Sequence, residues 1–512
     1  MGVNRNLFVA LRDAFPAELD TPAVETVDGP PLVYTWRDLD RSTAMLANLL
    51  VSLDLPANAR VAVQTEKSVE ALLLYLAVLR AGFVYLPLNP AYRQNELEYF
   101  VGNAEPSVVV CSAKNFGWVS RVAFQAGTPH VFTLNDDRSG TLLDRAAFHS
   151  DVHAPADKQP DDLAAILYTS GTTGRSKGAM LSHGNLLSNA AVLRDYWGWR
   201  QGDVLIHALP IFHVHGLFVA SHGALLSGSK MLWLNKFEPK AVLASFARAS
   251  VFMGVPTLYM RLLAEPGLAS EACSAMRVFI SGSAPLLSET FIEFRARTGH
   301  TILERYGMSE TLMLTSNPFH LQHGERIGGT VGFALPGVGV RVATAQEAGV
   351  PPGEVGNIEV KGPNVFSGYW RMLEKTREEF TEDGWFKTGD VGSLDTEGRL
   401  TIVGRSKDLI ISGGFNVYPA EIEGYLNEAE GVLESAVVGA PHPDFGEAVL
   451  AVVVPRAGAT LEPDALIAAL KGQIANYKVP KRIFLAESLP RNAMGKVQKN
   501  VLREQHQDAF RR

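Results

Sequence analysis

Cysteine is nearly absent, with only Cys111 and Cys273 in 512 residues. One bridge at most could form, so no disulfide framework holds the chain together, and both are expected as buried thiols in a reducing compartment. No apolar run approaches the ~20 residues of a membrane span. The opening Met1-Gly2-Val3-Asn4-Arg5-Asn6 has no hydroxyl residue at the sixth position, as myristoylation requires, and no signal-peptide pattern follows. The expectation is a cytoplasmic protein without membrane attachment. Charge of either sign is modest, at 20% of residues and a net −7. That balance gives no general attraction to nucleic acid or anionic lipid, so phosphate groups must be bound locally. No repeat with a period of roughly 20–50 residues is visible. What is present is a 46% hydrophobic chain, long enough for two or three domains.

The chain is organised around residues 166–178, Ile-Leu-Tyr-Thr-Ser-Gly-Thr-Thr-Gly-Arg-Ser-Lys-Gly. Leu163 to Tyr168 reads as a buried strand, and the stretch beyond it reads as neither strand nor helix interior. Gly171 and Gly174 let backbone N–H groups turn toward a ligand. Thr169, Ser170, Thr172 and Thr173 add hydroxyls, and Lys177 adds a cation. Such a set suits a polyphosphate, although a flexible surface turn has the same composition. The Walker spacing fails, because Ser176 stands where the second glycine belongs. Gly174-Arg175-Ser176-Lys177-Gly178 spells a nucleophile elbow, but Ser176 lies well beyond the strand end instead of directly on it.

Residues 60–115 alternate strand and helix: Arg60–Val63, a helix over Ser68–Ala81 ended by Gly82, strand 84–88, helix Glu96–Asn103 and strand Ser107–Cys111. This alternation predicts an α/β fold with mainly parallel sheets and flanking helices. Residues 116–160 read as polar and irregular. Strands at Asp203–Leu209, near 252–257, at Val278–Ile280 and at Ile302–Glu304 each run into glycine-bearing loops. Ligands bind beyond the carboxyl ends of such strands, so these loops should converge on one cleft. From about residue 331, short strands and Gly/Pro turns predict a β-rich subdomain. Beyond Asp408, strand and helix signals predict a small α+β domain. The expected division is 1–406 and 407–512, with a joint near Lys407.

Taken together, Tyr168–Gly178, Tyr306–Glu310, Gly384–Asp390, Gly404–Glu423 and Pro490–Lys496 resemble the adenylate-forming acyl-CoA synthetase superfamily, the acyl-activating enzymes. The resemblance implies ATP-dependent activation of a carboxylic acid as its acyl-AMP, with pyrophosphate released, then transfer to coenzyme A. It implies that Thr169, Ser170, Gly171, Thr172, Thr173, Gly174 and Lys177 handle the β- and γ-phosphates. Glu310, with Thr169, would hold Mg²⁺. Ser283, Ala284, Pro285, Tyr306, Gly307, Met308 and Ser309 would surround adenine and the α-phosphate, Ser309 replacing the usual threonine. Asp390 and Arg405 would take the ribose, and Lys496 would be the adenylation cation. A small mobile C-terminal domain turning about Lys407 would then bring Gly413 and Gly414 to the coenzyme A arm, with His213 as gate. Alone, Asp390 would read as a turn residue and Lys496 as a solvated surface charge.

Arg305 stands where many members carry a small uncharged residue. A guanidinium there needs a partner. The partner is either Glu304, in a structural salt bridge, or a second substrate carboxylate held with help from Ser283, which implies a short dicarboxylic acid. His207 is expected to line that acid pocket; read with His213-Val214-His215 as a zinc site, it lacks matching ligand spacing. The wording around 210–217, 281–286 and 304–308 is similar to the malonate-activating branch, which implies malonate and, beside it, methylmalonate. Other short, fatty or aryl acids, or loading of a carrier protein, are the alternatives. The remaining expectations are small-molecule substrates, no nucleic-acid or membrane partner, a monomer or homodimer, and a lysine acyltransferase acting on Lys496.

Overall fold

The structure is a computed structural model describing residues 4–169, 176–344, 349–412, 415–492 and 495–510. Two large sheets form its body. The six-stranded sheet runs 130–133, 108–111, 60–64, 84–87, 163–169 and 177–182 in spatial order. It is parallel until its last pair, where Leu163–Thr169 meets Lys177–Ser182 antiparallel. The nine-stranded sheet is parallel from Pro22–Thr26 through 230–233, 204–207, 251–254 and 278–281 to Leu303–Met308. Both faces of such sheets are covered, which is why their strands read as unbroken apolar runs.

The helix between the sheets shows how the sequence dictates this layering. Ser68 accepts from the Ala71 N–H at 3.1 Å as an N-cap, and Val69–Arg80 follows, every residue of it buried. A helix apolar all round belongs inside. It joins one continuous core with Val61 and Val63 of one sheet and Leu205 and Ile280 of the other. Arg80 is tolerated there because it pairs with Asp40 at 2.9 Å and donates to the His153 carbonyl.

Three expectations need correction. Residues 116–160 are not irregular: Phe116–Gln125 is a helix turning Val119, Val122 and Ala123 inward, and His130–Thr133 adds an edge strand. Lys177 is not in a loop but is the first residue of a strand, with Thr169 its register partner. Glycine and hydroxyl residues concealed that hairpin. Arg305–Met308 also continues a strand, pairing Arg305 with Ser316 and Tyr306 with Thr315, and the turn comes only at Ser309 and Glu310.

Four antiparallel strands between Gly339 and Arg405 form the β-rich region. A single helical turn, Ser406–Asp408, separates them from a last sheet with its own cores, flanked by helices Pro419–Asn427, Pro463–Lys471 and Lys499–Gln505. Cys111 and Cys273 are both free and buried. Among the described residues no helix is long and apolar enough to cross a membrane.

Candidate active site

The strand register brings the first cluster together. Asp390 and Arg405 are opposed on neighbouring antiparallel strands, and their side chains pair at 2.7 Å. Tyr306, at the end of the large sheet, donates its hydroxyl to the other Asp390 oxygen at 2.5 Å. Burial, then the Asp390 charge, pushes the Tyr306 phenol well above its ordinary pKa, so it remains a donor. Asp390 is thus held from both sides inside the fold.

A second cluster joins the hairpin to the turn after Met308. Tyr369 donates to Glu310 Oε1 at 3.0 Å, and the Lys177 ammonium lies 4.5 Å from the centre of the Tyr369 ring. Lys177 also reaches Glu379 at 3.4 Å. Burial raises the pKa of Glu310, the mark of a carboxylate short of positive partners. Lys177, at the start of its strand, and Glu310, in the turn after Met308, are therefore joined through Tyr369. Among the expected phosphate contacts, Thr169 and Lys177 are in place, while Ser170, Gly171, Thr172, Thr173 and Gly174 lie outside the described residues, as do Gly413 and Gly414. Ser176 sits in a strand-to-strand connection whose carbonyl takes the Tyr99 hydroxyl, not in a strand-to-helix elbow.

The third cluster surrounds Arg305. It is 2% exposed, and its Nε and Nη2 are buried without a hydrogen-bond partner among the described residues. Its guanidinium lies flat on Gly282, where an added Cβ would come within 2.5 Å of Cζ. Glu304 is not its counter-ion. Neighbours on a strand face opposite ways, and Glu304 Oε1 instead accepts from the Leu286 N–H at 3.2 Å. Glu304 Oε2 is unpartnered, and burial pushes the acid up to about 8. Ser283, held at φ 74°, turns its hydroxyl to within 3.4 Å of His215 Nδ1. His215 Nε2 is buried and unpartnered, and burial followed by the Arg305 charge keeps this ring neutral. Arg305 and His215 thus bring buried nitrogens without a hydrogen-bond partner among the described residues to the neighbourhood of Ser283.

His215, not His207, belongs to this pocket. Both nitrogens of His207 are committed, Nδ1 to Lys67 and Nε2 to the Gly216 carbonyl and Ser221, each at 3.0 Å. The sequence offered no way to choose between two histidines that both follow apolar strands. Tyr369 and Glu379 were also missed, since neither lies in a distinctive motif.

His213 lies within electrostatic reach of both Arg305 and Lys496 of the C-terminal part. Burial, then the charges of Arg305 and Lys496, lowers it to about 4. Lys496 retains solvent access along its side chain. Even so, crowding around its amine and the nearby Arg405 charge lower its pKa, opposed by Asp390 and Asp408. The turn carrying it touches the large body at Thr257, 3.3 Å from where a Gly495 Cβ would stand. Crowding, then Arg405, likewise lowers Lys407 to about 8. Among the described residues, no three His, Cys, Asp or Glu side chains form a ready metal cage.

The chain matches the model of the AMP-binding enzymes over residues 14–370 and that of the AMP-binding enzyme C-terminal domain over 421–496. A malonate–CoA ligase of Arabidopsis thaliana is 34% identical, over 87% of this chain and 78% of that protein. A feruloyl-CoA synthase of Amycolatopsis is 35% identical, over 92% and 93%. The crystal structure of ATP-bound MatB from Rhodopseudomonas palustris is 53% identical, covers 99% of this chain and 100% of its own, and superposes with a TM-score of 0.96. The two-part fold and the shared cleft thus have one explanation: the chain belongs to the AMP-binding enzyme family.

Proposed function

We propose that the protein ligates malonate to coenzyme A at the expense of ATP, through malonyl-AMP. Relatives at nearly the same identity are named for malonate and for ferulate, so overall similarity does not select the acid. One observation does: Arg305 is buried with two guanidinium nitrogens unpartnered. Leaving such a group unpaired costs several kcal/mol, which the far carboxylate of a short diacid offsets through a bidentate contact supported by Ser283 and His215. An aryl or alkyl tail would leave that cost standing.

In this reading one malonate oxygen attacks the α-phosphorus of ATP, forming the mixed anhydride as the bond to pyrophosphate breaks. Lys496 and Lys177 offset the growing negative charge without supplying a nucleophile. Glu310, a buried carboxylate within reach of the Lys177 charge, would hold Mg²⁺, for which one or two carboxylates suffice, and the ion would offset phosphate charge. Asp390 would accept from the ribose hydroxyls, and Arg405 would hold it in place. Coenzyme A thiol then attacks the malonyl carbon, losing its proton as the bond to AMP breaks. Lys496 faces the first half-reaction, so the second needs the C-terminal region to withdraw, with the turn at Ser406–Asp408 and Lys407 as the joint. His213, neutral at working pH, would serve as the gate between acid and thiol.

ATP–pyrophosphate exchange run in parallel with malonate, succinate, acetate and octanoate tests the acid. Malonate is expected to dominate. Free coenzyme A added afterwards should convert the adenylate to the thioester with stoichiometric AMP. Preference for octanoate or acetate would overturn the diacid assignment.

A further inference from the structure

Lys67 follows the strand Arg60–Gln64 and reaches across to the other sheet. Its Nζ donates to the carbonyls of His207 at 2.8 Å and Leu234 at 2.6 Å, and lies 3.0 Å from His207 Nδ1. The Trp233 ring lies beneath it at 4.2 Å. These three acceptors match the three donors of an ammonium group. Neither half-reaction uses this group; burial pulls its pKa well down, against the nearby Asp28 charge, and burying it is costly unless its bonds serve a purpose.

The other side of His207 fixes its protonation. Nε2 faces the Gly216 carbonyl, which can only accept, so Nε2 carries the proton and Nδ1 is left to accept from Lys67. The Gly216 carbonyl also receives the Ser221 N–H, closing the widened helical turn His215–Ala220, and the Ser221 hydroxyl at 2.9 Å. Turns of this wide kind recur at functional sites. The backbone there has no freedom to shift toward Pro210, whose carbonyl oxygen would sit 2.0 Å from an added Gly216 Cβ. His215 is the preceding residue, and its ring faces Ser283.

We infer that Lys67 and His207 are positioning residues for acid recognition: Lys67 fixes the His207 tautomer, His207 pins the Gly216 carbonyl, and that anchor holds His215 beside Ser283 and Arg305. Neither residue touches substrate. The inference rests on the diacid reading, because His215 is placed here as part of the pocket for the second carboxylate. It also gives the two sheets a functional link, since the acid pocket on one depends on a cation delivered from the other.

Steady-state kinetics of three variants test it. Lys67→Met should raise KM for malonate at least ~10-fold while KM for ATP and kcat stay within about threefold. His207→Phe keeps the bulk but loses the donor, and should match it. His207→Gln, whose amide nitrogen can still reach Gly216, should keep KM for malonate within about threefold of the parent. Parallel rises in KM for malonate and ATP, or a lowered melting temperature with both KM values unmoved, would overturn the proposal. Should one variant not fold, the remaining pair still separates these outcomes. Failure of the diacid reading itself would appear earlier, as a parent enzyme that makes no pyrophosphate with malonate.

Discussion

The Asp390 side and the Arg305 side of the candidate site solve the problem of buried charge in opposite ways. Asp390 arrives with its partners, Arg405 at 2.7 Å and Tyr306 at 2.5 Å. Arg305, on the strand that also carries Tyr306, has Nε and Nη2 unpartnered among the described residues. The paired side is preorganised and needs the ligand only for hydroxyl contacts. The unpaired side stores an electrostatic deficit that only an anion relieves, so it can discriminate. Polar groups left without partners are what make rejection of the wrong substrate strong.

Arg305→Ala is expected to disturb this contrast most. It should lower kcat/KM for malonate by at least ~10²-fold, since the second carboxylate then has no cation. Activity toward a monocarboxylic acid should fall far less, measured in the same exchange assay. Asp390→Asn addresses the other side. Its KM for ATP should rise ~10-fold or more as Arg405 loses its counter-charge, with the ratio of malonate to succinate rates unchanged. A changed ratio would mean that the two sides are not separate.

Tyr369→Phe is a smaller probe. It removes one hydrogen bond to Glu310, and kcat should drop roughly 2- to 10-fold. The least effect is expected from Glu304→Gln, read as stability. Burial raises the acid from 4.5 to about 8, so the folded state binds a proton that the unfolded chain has already released. Glu304 therefore costs increasing stability as pH climbs from about 4.5 to 8. The glutamine variant should melt at least ~2 °C above the parent at pH 8, and the gap should shrink toward pH 5. A constant gap would deny the burial effect.

Much of this was legible from residue order. The helix expected over Ser68–Ala81 and ended by Gly82 is there as Val69–Arg80, with Ser68 as its cap. Arg305 stood out because a guanidinium beside Tyr-Gly asks for a partner, and strand alternation turns Glu304 away from it. Other features had no local signature. The pairing of Thr169 with Lys177 depends on contacts across the hairpin. Residues 116–160 form short elements whose stability comes from packing on the sheet edge, which propensity does not report. His215 and His207 differ only in what surrounds them after folding. Tyr369 and Glu379 are drawn in from nearly two hundred residues beyond Lys177, a separation visible only in three dimensions.

The resting place of Arg305 on Gly282 has an evolutionary corollary. Even a methyl group at 282 would have to displace the guanidinium, so a side chain there comes only with a move of the arginine. A lineage drifting toward bulkier acids would have to widen the pocket elsewhere or surrender the arginine altogether, and giving up that arginine would forfeit the diacid.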